Sequence, residues 1–225
     1  MKAMLLAAGR GERLKPLTDH TAKPLVKAAG KSLIEYHLLN LATADFSDVV
    51  INTCWKAEKI VNALGDGSSY GLHINYSHEE TALETAGGIA RALPILGTGM
   101  ILVISADIWC DLPLTQIRLP ATGVLAHLIV VPNPSHKSTG DFDLRQDRLE
   151  HRGKGSSGLT YAGIGIYHTS LFANLDSPCT PLRDVLHAAI TRKVITAQVH
   201  RGAWFDVGTL ERLQQLESYL SDTSG

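Results

Sequence analysis

The sequence predicts an α/β protein with a doubly wound, mostly parallel sheet and a small antiparallel portion in its second half. Three patterns carry that prediction. Strand-like and helix-like segments alternate through the first half of the chain. The run Met100–Ile104 is continuously apolar, as a central parallel strand covered on both faces requires. The first apolar run breaks abruptly into a glycine turn at Gly9-Arg10-Gly11, the punctuation that ends a strand and opens a loop.

Taken in order, residues 2–8 read as a buried strand. Ser32-Leu33-Ile34-Glu35 is a capping box that opens a helix through about Ala44. Asp48–Asn52 is a second strand and Ala57–Leu64 a second helix, followed by a strand over Leu72–Ser77 and a helix over Thr85–Leu93. Met100–Ile104 closes this half. The second half is less regular. Val124–Val131 is strand-like, Asp141–His151 a hairpin and Thr160–His168 a further strand. Pro181–Arg192 and Thr209–Leu220 are helical, with Thr209 as N-cap and Leu210, Leu213, Leu216 and Leu220 as an apolar stripe. Gly153-Lys154-Gly155-Ser156-Ser157-Gly158 is a surface loop rather than a domain linker, because the strand pattern resumes at once.

At 225 residues, with 44% hydrophobic and 19% charged residues, the chain is an ordinary globular protein with room for one large core. The formal charge of −1 offers no basic field for nucleic acid or an anionic membrane. Three separated cysteines, Cys54, Cys110 and Cys179, form neither a zinc pair nor a disulfide framework, which fits a reducing compartment. No run approaches membrane-spanning length, so a cytoplasmic location is expected.

The segment Ala8-Gly9-Arg10-Gly11-Glu12-Arg13 is the strongest functional signal. Glycines let backbone N–H groups approach phosphates closely, and Arg13 and Lys23 supply cations where anionic oxygens would lie. Two better-known phosphate loops are excluded. No Lys-Ser/Thr follows the glycines, as a P-loop needs, and the third glycine of a dinucleotide fingerprint is Leu14. In an open α/β sheet, ligands bind beyond the carboxyl ends of the strands, where this loop leaves the first strand. Asp107, just past the Met100–Ile104 strand, is expected at the same edge, beside Ser105. A carboxylate next to a triphosphate needs a cation between them, and Mg²⁺ with oxygen ligands is the usual solution. Asp206, in Trp204-Phe205-Asp206-Val207-Gly208-Thr209, is a candidate second ligand. Each acid also has a plainer reading, as a cap or turn residue. Trp55, Trp109 and Trp204 read as packing residues before sugar platforms, and His136 as a solvated loop residue.

The full pattern, Leu6-Ala7-Ala8-Gly9-x-Gly11-x-Arg13-Leu14-x-Pro16-Leu17-Thr18 followed by Lys23-Pro24-Leu25, resembles the signature of the sugar-phosphate nucleotidylyltransferases over essentially the whole chain. That resemblance implies a Rossmann-like, glycosyltransferase-A-like fold and a Mg²⁺-dependent reaction between a nucleoside triphosphate and a sugar 1-phosphate. It implies Arg13 and Lys23 as catalytic groups and Asp107 and Asp206 as metal ligands. It also implies a base-contacting loop at Leu83-Glu84-Thr85-Ala86-Gly87-Gly88, with Glu84 and Gly87 against the nucleotide beside Ala8, Gly9, Gly11, Glu12 and Ser105. A single domain over residues 1–225 is expected, its nucleotide-binding half about 1–110 and its sugar-binding half about 111–225. Gly140, Asp141, Glu150 and Gly163 are expected to contact the sugar, the two glycines leaving room for its close approach.

Asn52 with Trp55, Asn133-Pro134-x-His136 and Gly140-Asp141-Phe142 resemble the members that pair UTP with N-acetylmuramate 1-phosphate in cell-wall recycling. The chain departs from the family pattern at Ser105-Ala106 before Asp107, at Ala86, and at Glu150-His151-Arg152, where relatives carry Glu-Lys-Pro. Lys154 and Arg201 are the remaining candidates to grip the sugar phosphate. Other substrate pairs (mannose or glucose 1-phosphate with GTP or dTTP, phosphocholine with CTP) and a non-catalytic nucleotide-binding relative are the alternatives. Retention of Arg13, Lys23, Asp107 and Asp206 together argues against the last.

Overall fold

The computed structural model describes residues 1–223. In chain order the elements are β1 (Lys2–Leu6), α1 (Leu17–His20), β2 (Lys27–Ala28), β3 (Lys31–Ser32), α2 (Leu33–Thr43), β4 (Asp48–Thr53), α3 (Ala57–Leu64), β5 (His73–His78), α4 (Glu84–Leu96), β6 (Met100–Ser105) and β7 (Ile108–Cys110). They continue as β8 (Ala126–Val131), β9 (Phe142–Arg145), β10 (Arg148–His151), β11 (Thr160–His168), α5 (Leu182–Thr191), β12 (Ile195–Val199), β13 (Trp204–Asp206) and α6 (Leu210–Thr223).

Nine of these strands form one continuous sheet in the order β5-β4-β1-β6-β11-β8-β12-β10-β9. Pairs β5·β4, β4·β1, β1·β6 and β8·β12 are parallel, and only β11 and β10 run against the other strands. The expected parallel half with a smaller antiparallel portion is thus present in one sheet.

Strand periodicity divides the core into two layers. Ala3 and Leu5 of β1, Val49 and Ile51 of β4, and Leu102 and Ile104 of β6 meet Ile34, Leu38 and Leu41 of α2 and Ile60 and Leu64 of α3. Met4, Val50, Ile101 and Val103 point the other way, into Ile89 and Ala92 of α4 and Leu186 and Ala189 of α5. The central strands are therefore apolar on both faces, which is why their sequences carry no alternation. Helix α2 starts where the capping box places it, with the Ser32 amide and hydroxyl both donating to Glu35 Oε2, at 2.7 and 2.6 Å. Helix α4 continues past the expected stop at Leu93 and carries Pro94 inside it. Helix α6 seals a third cluster, laying Leu213, Leu216 and Leu220 on Leu14, Val26, Leu33 and Val207.

Two elements that the sequence did not announce matter most. Strands β7 and β13, three residues each, pair antiparallel as a small ribbon, with Asp206 opposite Ile108 and Trp204 opposite Cys110. The ribbon joins the segment after β6 to the segment before α6.

Candidate active site

Register builds the site. Leu6, at the end of β1, pairs with Asn52 on one side and Ser105 on the other. The glycine loop and the segment carrying Asp107 therefore emerge side by side at the carboxyl edge of the sheet, where a doubly wound fold binds its ligands. The Ala106 amide closes the edge by donating to the Leu6 carbonyl at 3.1 Å. The ribbon then brings in the second acid. The Val207 amide donates to the Asp107 carbonyl at 2.8 Å, so the backbones that carry Asp107 and Asp206 are direct neighbours.

Two cavities adjoin here. The first, about 320 Å³, is lined by Ala8, Gly9, Lys23, Asn52, Glu84 and Asp107, among others. The second, about 410 Å³, is lined by His136, Lys137, Tyr161, Gly163, Trp204 and Asp206, among others. Leu6, Thr85 and Ser105 line both, so the cavities share a wall, with one acid on each side of it.

Lys23 is held in a one-turn helix over Lys23–Leu25 and is 8% exposed, with its Nζ 2.5 Å from Asp107 Oδ2. Asp206 faces two basic side chains. Arg212 Nη1 donates to its Oδ2, and His136 Nε2 lies 3.2 Å from its Oδ1. Both carboxylates stay partly open to solvent, at 42% and 31% side-chain exposure. Two hard oxygen donors on neighbouring backbones are the donor type a hard divalent cation takes, and a metal there would compete with Lys23 and Arg212 for them.

The loop itself is fixed from beneath. Asn52 Oδ1 accepts the Ala7 amide at 2.8 Å, and Asn52 Nδ2 donates to Glu79 Oε1 at 2.7 Å. Glu79 is 1% exposed, and its Oε2 accepts the Leu83 amide at 3.2 Å. One buried pair thus ties the glycine loop to the loop before α4. Gly88 makes space for it, since a Cβ there would sit 2.6 Å from Glu79 Oε1.

Not every expected residue reaches the cavities. Ala8, Gly9, Lys23, Glu84, Ser105 and Asp107 line the first, and Gly163 and Asp206 the second. Gly9 faces open space. Gly11 is left-handed (φ +68°), and a Cβ there would press on Lys23 Cβ and Thr18 Cγ2 at 2.9 Å, so its role is to let the loop pack on the Lys23 stem. Glu12 and Arg13 are exposed; the Arg13 guanidinium reaches the open side of Gly208, as does that of Arg212.

Gly87 is not part of the first cavity's lining. Its amide donates to the Thr180 carbonyl at 3.2 Å, and a Cβ would meet the Pro178 carbonyl at 2.0 Å, so this glycine serves the packing of α4. Gly140 likewise packs on the Leu159 backbone, where a Cβ would sit at 2.5 Å, and lines neither cavity. Glu150 is exposed on the edge hairpin, opposite Asp143 and off both cavities. Asp141 acts one step back, accepting both Lys137 Nζ (2.8 and 2.7 Å) and the Tyr161 amide (2.9 Å). Lys154 and Arg201 are exposed and line neither cavity.

His136 is the exposed loop residue expected of it, and it also contacts Asp206. Trp204 packs and also lines the second cavity, its Nε1 donating to the Ala162 carbonyl at 2.9 Å. Arg212 carried no expectation at all. Its signal was a cation in the first turn of a helix, where the macrodipole disfavours one and a specific partner has to compensate.

Residues 2–140 match the sequence profile of the nucleotidyl transferase family. The chain is 44% identical to N-acetylmuramate alpha-1-phosphate uridylyltransferase of Neisseria meningitidis, covering 97% of each chain. It is 28% identical to mannose-1-phosphate guanylyltransferase catalytic subunit beta of Drosophila pseudoobscura, over 92% of this chain and 59% of that one. Its fold is that of a putative glucose-1-phosphate thymidylyltransferase from Bacillus anthracis, with a TM-score of 0.85 at 22% identity over 99% of this chain and 96% of that one. On the profile match over residues 2–140 and the 44% identity, the chain belongs to the nucleotidyl transferase family, and it is a nucleotidyltransferase.

Proposed function

We propose that the chain transfers UMP from UTP to N-acetylmuramate 1-phosphate, releasing pyrophosphate and forming a nucleotide-sugar for cell-wall recycling in the cytoplasm. The observation that carries this reading is the end-to-end similarity to the Neisseria uridylyltransferase, which spans both cavities. Three free cysteines without a disulfide among the described residues, and no described helix long and apolar enough to cross a membrane, fit that location.

The first cavity takes the nucleotide and the second the sugar phosphate. The first is lined only by residues up to Asp107, which supports a division of one domain into halves near residue 110. In the reaction an oxygen of the sugar phosphate attacks the α-phosphorus of UTP. A new P–O bond forms, the α–β P–O bond breaks, and the electron pair leaves on pyrophosphate. The attacking oxygen is already anionic near neutral pH, so the protein's task is alignment and charge neutralisation rather than proton removal.

Asp107 and Asp206 would hold Mg²⁺, which when bound supplies neutralisation of phosphate charge. Lys23 reaches into the first cavity from a buried stem and neutralises charge building on the α-phosphate. Arg13 holds the departing pyrophosphate from the exposed side. Asn52 and Glu79 keep the loop amides in place, so no reorganisation is needed at the moment of reaction.

The second cavity also suits an acidic sugar. Of the basic side chains lining it, Lys137 is tied to Asp141 and His136 to Asp206. Arg183 is 74% exposed, and its Nε lies 3.7 Å from the adjacent Asp184. A guanidinium fork matches a carboxylate bidentately, which assigns Arg183 to the lactyl carboxylate of N-acetylmuramate.

The test is a matrix of ATP, CTP, GTP, UTP and dTTP against N-acetylmuramate, N-acetylglucosamine, glucose and mannose 1-phosphates, read as pyrophosphate release. UTP with the muramate substrate is expected to dominate. A clear preference for mannose or glucose 1-phosphate overturns the substrate assignment and leaves the family intact.

A further inference from the structure

The β7–β13 ribbon has a second end. Asp107 and Asp206 lie at one end; at the other, the Cys110 thiol, the Asp111 carboxylate and the His200 imidazole lie within 4.8 Å of one another. No sequence pattern hints at this cluster, because Cys110-Asp111 and His200 are far apart in the chain. Pairing assembles it. Cys110 lies opposite Trp204, the Asp111 amide donates to the Ala203 carbonyl at 3.1 Å, and the Ala203 amide donates back to Asp111 Oδ2 at 3.0 Å. His200 comes just after β12, its amide bound to the Val130 carbonyl at 2.8 Å and its Nε2 placed 2.7 Å from Asp111 Oδ1.

The surroundings are shaped to let these groups converge. A Cβ at position 202 would sit 2.4 Å from Asp111 Oδ1 and 2.7 Å from His200 Cε1, so Gly202 is required for the arrangement. A cleft of about 270 Å³, lined in part by Cys110 and Asp111, gives access from solvent.

We propose that Cys110, Asp111 and His200 form a binding site for a borderline-soft divalent metal of the Zn²⁺ class, separate from the hard-cation site of Asp107 and Asp206. The ligand types decide the metal. Thiolate and imidazole donors select Zn²⁺ and its neighbours, whereas Mg²⁺ and Ca²⁺ demand oxygen. Bond lengths of about 2.0–2.3 Å place tetrahedral ligand atoms about 3.4–3.6 Å apart, so the widest pair within the 4.8 Å spread closes by at most about 1.4 Å, while the His200–Asp111 pair, now at 2.7 Å, opens by about 0.7 Å. Asp111, at 38% side-chain exposure, leaves the remaining coordination position to water.

Binding converts Cys110–SH and M²⁺ into a Cys110–S–M bond, and the thiol proton leaves to solvent. Burial pushes the Cys110 thiol up to about 11, so affinity rises with pH as the proton becomes easier to displace. A metal here clamps the end of the ribbon that lies away from the two catalytic acids.

The test is titration of the folded, metal-free protein with Co²⁺, with neither Mg²⁺ nor substrate present. The expected result is a near-ultraviolet thiolate-to-cobalt charge-transfer band with tetrahedral visible bands, complete near one equivalent and bleached by Zn²⁺. The Cys54→Ser/Cys179→Ser double variant keeps the band, as does Asp206→Asn, because the active-site acids cannot supply a thiolate. Cys110→Ser loses it, and His200→Gln, at a more exposed position, weakens binding by about tenfold or more while circular dichroism stays native. Absence of the band in the folded wild-type protein, its persistence in Cys110→Ser, or unchanged affinity in folded His200→Gln overturns the proposal. The cluster is then a hydrogen-bonded clamp on the ribbon and nothing more.

Discussion

Replacing Lys23 by Ala separates binding from chemistry. Lys23 is nearly buried, and its ammonium sits 2.5 Å from an Asp107 carboxylate that remains 42% exposed. Because water still reaches Asp107, the pair itself contributes about 0–1 kcal/mol to stability, and loss of the packed stem costs about 1–2 kcal/mol. The variant therefore folds. Under the proposed role, Lys23 neutralises charge that builds mainly in the transition state, so the larger effect is expected on kcat, about 10²–10³-fold or about 3–4 kcal/mol. Initial rates of pyrophosphate release give kcat and KM, and calorimetry gives the affinity for UTP. Lys23→Ala with Asp107→Asn is expected to be strongly non-additive, since the two side chains act as one unit. A kcat within about threefold of wild type with a raised KM refutes the reasoning, because Lys23 would then bind ground-state phosphate alone.

Four further perturbations probe the geometry. Asp206→Asn is expected to abolish metal-dependent turnover with little change in melting temperature, since its carboxylate is partly solvated; near-wild-type activity would make Asp206 only an anchor for Arg212 and His136. Asn52→Ala leaves the Ala7 amide and Glu79 without their partner, which is expected to cost about 1–3 kcal/mol in denaturant unfolding and to raise KM for UTP more than KM for the sugar. Arg183→Gln should raise KM for the muramate substrate and leave KM for N-acetylglucosamine 1-phosphate unchanged; equal changes would remove Arg183 from carboxylate recognition. Burial drives His37 down to about 4, opposed by its bond to the Ile108 carbonyl and by the Asp107 charge. The unfolded chain takes up that proton first, so stability is complete above about pH 6.5 and declines toward pH 4 by up to about 3 kcal/mol, a slope that His37→Leu should flatten in urea melts.

What the sequence made legible was local. The apolar runs of β1 and β6, the Ser32–Glu35 capping box and the Thr209 cap are decided within a few residues, and the structure places those elements where the pattern does. The positions of the glycine loop and Asp107 follow from strand ends, whereas Lys23 lies in a one-turn helix well past β1 and meets Asp107 only through tertiary packing. The β7–β13 ribbon was not, because three-residue strands are too short for periodicity and their pairing comes from segments far apart in the chain. That ribbon is what sets Asp206 beside Asp107 and draws in Arg212 and His136. Gly87 looked like a ligand contact because family resemblance put it in a base-contacting loop, and Gly140 because a missing side chain signals close approach without saying to what. In both cases the approaching group is backbone, at Pro178 and Leu159. Glu150 was placed by family pattern alone, and the edge hairpin carries it away from the site.

The central claim is that the cavities on either side of the Leu6–Ser105 wall bring a sugar phosphate to the α-phosphorus of a nucleotide. Its most direct measurement is the fate of oxygen. N-acetylmuramate 1-phosphate carrying ¹⁸O in its phosphate is incubated with unlabelled UTP, and product and pyrophosphate are analysed by ³¹P NMR and mass spectrometry. The account predicts that all the label stays in the nucleotide-sugar, with one ¹⁸O bridging the two phosphorus atoms, and that pyrophosphate is free of it. Label in pyrophosphate, or hydrolysis of UTP without sugar incorporation, contradicts the account.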